Sequence, residues 1–245
     1  MNTNKDARTS VENLFKSGAH FGYSRSRRHP SVKPFIFGVK NRVQIINLER
    51  TAEQLATALE FVKKLGTEGK VILFVGNKPE AGRPIQTVAD MTEMPYVTER
   101  WLGGTLTNWS EMKKRIARMR DLKEKREKGE LSMYTKKERG NIDKEIGKLE
   151  RYFSGLDRLE KLPNALFVVD SEHESISVKE AKDCHIPVVS ISSIDCDITK
   201  IAYPIVANDA SRDSIDYITH QIAHAYLEGK KEAISVSTSA EVPNA

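Results

Sequence analysis

The sequence predicts an α/β fold: a layered, mostly parallel sheet interrupted once by an inserted antiparallel helical hairpin. Three observations carry this. Short apolar runs near residues 72, 97, 167, 189 and 205 alternate with amphipathic segments, the pattern of a wound sheet. Between the second and third runs the hydrophobic spacing changes to a narrow 3/4 seam. At that change stands Arg100-Trp101-Leu102-Gly103-Gly104-Thr105-Leu106-Thr107-Asn108-Trp109, which holds both tryptophans of the chain.

The elements follow in order. Residues 1–8 are polar and expected to be disordered. Thr9 and Glu12 form a capping box, Val11, Leu14 and Phe15 an apolar face, and Gly18 a stop. Residues 19–30 read as a loop dense in donors with aromatics between them. Lys33–Gly38 and Val43–Leu48 read as β runs joined through Val39–Arg42, a hairpin with a basic tip. Thr51 and Gln54 make a second capping box, leading a helix that Gly66 and Gly69 should stop.

Val71–Gly76 is wholly apolar, as in a strand buried on both faces. Pro79 opens a helix to about Met91, and Pro95–Thr98 is a short strand. In the Trp stretch two glycines free the backbone at one point, and Thr105 or Thr107 can cap the next helix. Trp101 beside Arg100 offers a π face and a fork of donors suited to RNA loops. A buried Trp plugging a domain–helix junction fits equally well.

Trp109, Met112, Ile116, Met119 and Leu122, then Ile142, Ile146, Leu149, Phe153 and Leu156, are two seams of a helical hairpin or coiled coil. Its tip is expected at Glu130–Lys136. Ala165–Asp170, Ile186–Ile191 and Pro204–Ala207 resume the sheet. Ser171 is the expected cap of a helix around Ile176–Cys184, and Asp209 that of the last helix, with face Ile215, Ile218, Ile222 and Tyr226. The expected divisions are an α/β domain over 9–104 and 160–228, the hairpin over 105–159, and a disordered tail over 229–245.

At 245 residues, with 39% hydrophobic and 30% charged residues, the chain can bury a sizeable core. No apolar run approaches the roughly 20 residues that span a bilayer. The polar start, Met1–Asp6, suggests neither secretory signal nor transit peptide. Two cysteines, Cys184 and Cys196, are too few for a zinc site or disulfide framework and fit a reducing cytosol.

The net charge of +5 is unevenly spread. From Asn13 to Leu48 there are seven basic residues (Lys16, Arg25, Arg27, Arg28, Lys33, Lys40, Arg42) and no acid. From Glu111 to Arg151 there are 15 Lys or Arg against 9 Asp or Glu. Two basic zones on a near-neutral body suit a polyanion. The alternating charges of Lys123–Glu130 fit a solvated helical face as well.

Catalytic chemistry finds little support. There is no G-x-G-x-x-G and no G-x-x-x-x-G-K-[ST]. Gly76-Asn77-Lys78-Pro79 follows a strand and precedes a helix, where one phosphate can bind, but the flexible glycine pattern is missing. Asp170–Glu174 puts acids and a histidine at a strand's carboxyl end without a nucleophile elbow. Asp195, Cys196 and Asp197 are a conceivable weak divalent-ion group of mixed type.

The residues resemble a known family. Phe15–Gly22, Lys33–Gly38, Ile45–Thr51, Arg100–Asn108, Leu162–Asp170 and Ala207–Asp209, in that order, are similar to the second protein of the bacterial small ribosomal subunit. The resemblance spans about residues 10–228. It implies a flavodoxin-like sheet with a coiled-coil arm, a cytoplasmic place in the small subunit supporting translation, and no catalytic activity or cofactor. It further implies contact with small-subunit rRNA and neighbouring ribosomal proteins, with the largest, S-one, as a candidate.

Residue reading and resemblance together point to His20, Tyr23, Arg25, Arg27, Arg28, His29, Lys33, Lys40, Arg42, Arg100, Trp101 and Asn108 as the RNA-binding set, with no metal ligand. The chain departs from the family pattern at Tyr23, which replaces a histidine, and at Arg28-His29-Pro30, which replaces Trp-Asn-Pro. A guanidinium at position 28 can stack on a base or bind phosphate. The competing readings are an enzyme using the carboxyl edge of the sheet and a coiled-coil module that never touches RNA.

Overall fold

The structure, a computed structural model, describes residues 11–240. The expected Thr9–Glu12 capping box is split by that limit, since Thr9 lies outside the described residues. Helix α1 covers 11–16. Strands β1 (Phe21–Ser24), β2 (Ile36–Lys40) and β3 (Val43–Ile46) form an antiparallel sheet in the order β1-β3-β2. Helix α2 (Leu48–Thr67) then leads into a parallel sheet of β4 (Ile72–Val75), β5 (Tyr96–Val97), β6 (Ala165–Val169), β7 (Val188–Ser192) and β8 (Tyr203–Val206). Its order is β5-β4-β6-β7-β8, and every neighbouring pair is parallel. Counted within this sheet the order is 2-1-3-4-5, the flavodoxin-like winding.

The five strands fall on the five apolar runs: β4, β6 and β7 are buried along their whole length, and the edge strands β5 and β8 in part. Alternate residues go to opposite sides: Ile72, Phe74, Phe167 and Ile191 meet α2, α3 (Pro79–Thr92) and α7 (Arg212–Ala240). Leu73, Val75, Leu166 and Val168 meet Trp101, α6 (Ser175–Asp183) and the base of the arm. The arm is α4 (Trp109–Glu127) and α5 (Lys136–Phe153), closed by a short 3-10 turn at Glu130–Met133. Met112, Ile116, Met119, Leu122, Ile146 and Phe153 are buried along its seam. Thr135 and Glu138 close a reciprocal capping box at the start of α5.

Local details differ from expectation where tertiary partners compete. Helix α2 starts at Leu48, with Asn47 Oδ1 accepting from the N–H of Glu49. Thr51 and Gln54 bind β8 instead: Thr51 Oγ1 donates to the Val206 carbonyl at 2.7 Å, and Gln54 Oε1 accepts from its N–H at 3.0 Å. Gly66 lies inside α2, not at its end, because the last helix crosses there. A Cβ on Gly66 would stand 2.2 Å from the Tyr226 carbonyl, and one on Gly229 would stand 2.1 Å from that of Lys63.

Helix α7 runs past residue 229, where a disordered tail was expected, as far as Ala240, and the rest of that tail, 241–245, lies outside the described residues. Lys63 pairs with Glu228 and Glu232 alongside the crossing. The expected strand from Lys33 begins only at Ile36, since Pro30–Phe35 winds as a 3-10 helix whose prolines lack N–H groups for a ladder. Phe21–Ser24, read as loop, is a strand because β3 offers it an open edge.

Candidate nucleic-acid interface

The acid-free segment folds as the small antiparallel sheet and its turns. Lys40 pairs with Val43, so Asn41 and Arg42 alone make the hairpin turn. Both have left-handed φ, 51° and 66°, as a two-residue primed turn requires. Arg25, Arg27, Lys33, Lys40 and Arg42 are exposed, while Tyr23, Arg28 and His29 are half-buried. Aromatic surface lies among them: Phe37 is 79% exposed, and Phe15 stacks on His20 at 4.5 Å, with Phe21 on its neighbouring side at 4.0 Å. Burial and the charge of Lys40 hold the His20 imidazole below its ordinary pKa.

The segment is held to the carboxyl edge of the parallel sheet by polar contacts that local sequence does not show. The N–H of His29 donates to the Ile194 carbonyl at 2.8 Å, and Asn208 donates to the carbonyls of Ala19 and Gly18. Tyr23 Oη donates to Asp209 at 3.0 Å. Asp209 is fully buried and meets Lys78 Nζ at 3.0 Å, which also meets Asp170 at 2.5 Å. Asp170 accepts further from the N–H groups of Glu172 and His173.

The titrations follow from this packing. Burial, reinforced by Asp209, pushes the Tyr23 phenol up to about 12. Burial and repulsion from Asp170 push Asp209 up to about 6. For Asp170 burial acts upward too, but the Lys78 bond and backbone N–H groups outweigh it and hold the carboxyl below its usual range. Lys78 is held charged: its desolvation is exceeded by its two carboxylates.

The expected cap at Asp209 is thus wrong, because the carboxylate is spent on Lys78 and Tyr23. The Ser171 cap fails similarly: α6 starts at Ser175, and the Ser171 hydroxyl bonds that of Ser192 at 2.9 Å.

The Trp stretch is organised by one carboxylate. Glu180 Oε1 accepts from the Trp101 indole at 3.1 Å and the Gly104 N–H at 2.8 Å. Its other oxygen accepts from the N–H groups of Leu106 and Thr107 and from the Thr107 hydroxyl. Five donors on a buried acid hold its pKa down against desolvation. Trp101 is 5% exposed, so the plug reading describes it and its indole presents no open stacking face. Neither threonine caps α4; Thr105 bonds the Leu102 carbonyl, and Asn108 is the N-cap residue without a side-chain cap bond. Arg100 and Asn108 are exposed.

The predicted residues therefore form two groups. His20 through Arg42 lie on the small sheet and its turns, whereas Arg100 and Trp101 line a crevice that Lys78 also lines, and Asn108 lies outside that lining. At the carboxyl edge Glu172 and His173 are exposed, while the neighbouring acids have structural partners. Glu174 is engaged by Asn77 and Asp197 by Thr199 and Lys200. Asp170, Cys196 and Asp209 place possible ligand atoms within 4.8 Å of one another, but the Lys78 ammonium already pairs with both acids. Of the two organising residues, Lys78 stands in the strand-to-helix stretch Gly76–Pro79 read as a phosphate position, whereas Glu180 carries no motif that singles it out.

A flavodoxin-like sheet that carries a helical arm, with a basic and aromatic small sheet fixed to its carboxyl edge, defines the class of fold. The family described as ribosomal protein S2 matches residues 14–229. A small ribosomal subunit protein uS2 from Coprothermobacter proteolyticus is 41% identical over 222 residues, covering 91% of this chain and 83% of that one. Its counterpart from Roseiflexus sp. is 40% identical over 227 residues, covering 93% and 87%. The chain belongs to the ribosomal protein S2 family, and it is a structural protein, not an enzyme. No helix among the described residues is long and apolar enough to cross a membrane.

Proposed function

We propose that the chain is a structural constituent of the small ribosomal subunit that binds its rRNA through the N-terminal basic loop and hairpin. The observation that carries this reading is the acid-free segment: its cations other than the half-buried Arg28 are exposed, yet it is fixed to the sheet edge through Tyr23, His29 and Ala19. A preorganised array of cations binds phosphates with less ordering cost than a mobile one. Arg25, Arg27, Arg28, Lys33, Lys40 and Arg42 supply charge, and His20 and Tyr23 supply rings. Trp101, beside Arg100, shares Glu180 with the loop from Gly104 to Thr107.

The arm is the weaker candidate for RNA, because Arg118 pairs with Glu145, Lys123 and Arg126 with Glu150, and Lys125 with Asp121. Neighbouring small-subunit proteins, S-one among them, remain the protein partners of this reading, in the cytoplasm. Co-sedimentation with small subunits tests it: the protein should travel with the particles and leave them as salt rises. A pool that never enters the particles overturns it.

A further inference from the structure

The winding of the parallel sheet reverses between β4 and β6. Helix α3 packs on one face and α6 on the other, so the chain diverges outside the carboxyl ends of these two strands. In sheets wound this way the gap at the reversal is where ligands bind. Here it is a crevice of about 590 Å³, within the range of small-molecule sites.

The walls of the crevice differ in chemistry. Inside stand Glu174 and Asn77. The backbone N–H and Nδ2 of Asn77 both go to Glu174 at 3.1 Å, leaving Asn77 Oδ1 buried with no hydrogen-bond partner. A bare buried acceptor is costly, and a donor entering the crevice relieves it. The rim carries Arg100 and His173, both exposed, and Arg100 makes no ion pair among the described residues. Trp101 also lines the crevice, its indole N–H committed to Glu180.

The loop at its base is no phosphate cradle, because the Asn77 N–H and the Lys78 ammonium are already taken. An anion is therefore disfavoured at the inner end and favoured at the rim. A group bearing amino or imino N–H is favoured inside.

We propose that this crevice receives one nucleotide, its base edge turned inward to Asn77 and Glu174 and its phosphate held at Arg100. An unpaired rRNA nucleotide and a free mononucleotide share this chemistry; only the first source rests on the rRNA-binding reading.

The Trp109→Phe protein, intact otherwise, leaves Trp101 as the one tryptophan reporting on the crevice. Titration with 5′-CMP or 5′-AMP should change its emission saturably, and Arg100→Ala in the same background should weaken the response about tenfold, with Arg100→Lys retaining part of it. No saturable change at millimolar nucleotide overturns the proposal. So does an equal response to inorganic phosphate, which would make the rim an anion site only, or an undiminished response in Arg100→Ala.

Prebinding small-subunit rRNA separates the sources. Loss of the CMP response assigns the nucleotide to RNA, and an unchanged response assigns it to the free pool. A protein that ignores subunits yet titrates with CMP refutes the rRNA reading while leaving the crevice assignment standing.

Discussion

Tyr23 Oη donates to Asp209 across 186 positions of chain, at 3.0 Å, and so ties the basic loop to the buried ion pair at the sheet edge. Tyr23→Phe removes only this bond. A hydrogen bond to a charged partner contributes roughly 1.5–3 kcal/mol, and half-burial of Tyr23 puts the expected loss near the lower end. Urea unfolding should show that loss, and amide exchange should rise over residues 21–29 more than in β6. Uniform exchange would mean that Tyr23 does not moor the loop.

The location of RNA affinity is read from salt. Each phosphate contact contributes about 0.7 to 0.9 to the slope of log affinity against log salt. Changing Arg25, Arg27 and Arg28 together to Ala should flatten the slope of rRNA binding by about 2. Lys123, Lys125 and Arg126, already paired with Glu150 and Asp121, should leave it nearly unchanged when replaced together. The opposite outcome would move the site to the arm.

The arm is not uniform along its length. Ile116 belongs to the same buried cluster as Leu73, Val75 and Leu166 of the sheet, whereas Ile146, fully buried, lies outside that cluster. Ile146→Asp should therefore melt the distal arm at a cost of several kcal/mol and leave β4 and β6 protected from exchange. Ile116→Asp should loosen the sheet as well. Equal loss of sheet protection in both variants would show that arm and sheet unfold as one unit.

Stability should depend on pH through Glu174, which is 2% exposed. Burial, opposed by the Asn77 N–H, pushes its carboxyl from the ordinary 4.5 up to about 7. Between these values the folded chain holds a proton that the unfolded chain has released. The stability linked to this group is thus present below pH 4.5 and lost as pH rises toward 7, by roughly 3 kcal/mol. Asp170, held below its usual range, acts in the opposite direction at lower pH. Glu174→Gln should flatten the fall across that window in chemical denaturation at stepped pH; an unaltered profile would assign the fall to other groups.

What the sequence determined by itself were the features that repeat over short distances. Five apolar runs announced the strands of a wound sheet, the 3/4 seam from Trp109 to Leu156 announced paired helices, and the absence of acids from Asn13 to Leu48 announced a cationic face. Each is a periodicity or a density, and each fell where the fold has strands, arm and basic sheet. The tertiary structure alone decided where isolated polar side chains go. Thr51, Ser171 and Asp209 all have the chemistry of caps, yet contacts with Val206, Ser192 and Lys78 claimed them. Trp101 was equally fit to stack on a base or to fill a junction until Glu180, 79 positions away, took its indole N–H. A cap or a stacking face is a local possibility, whereas a buried polar group must find a partner wherever the fold places one. That choice is made only when the sheet closes.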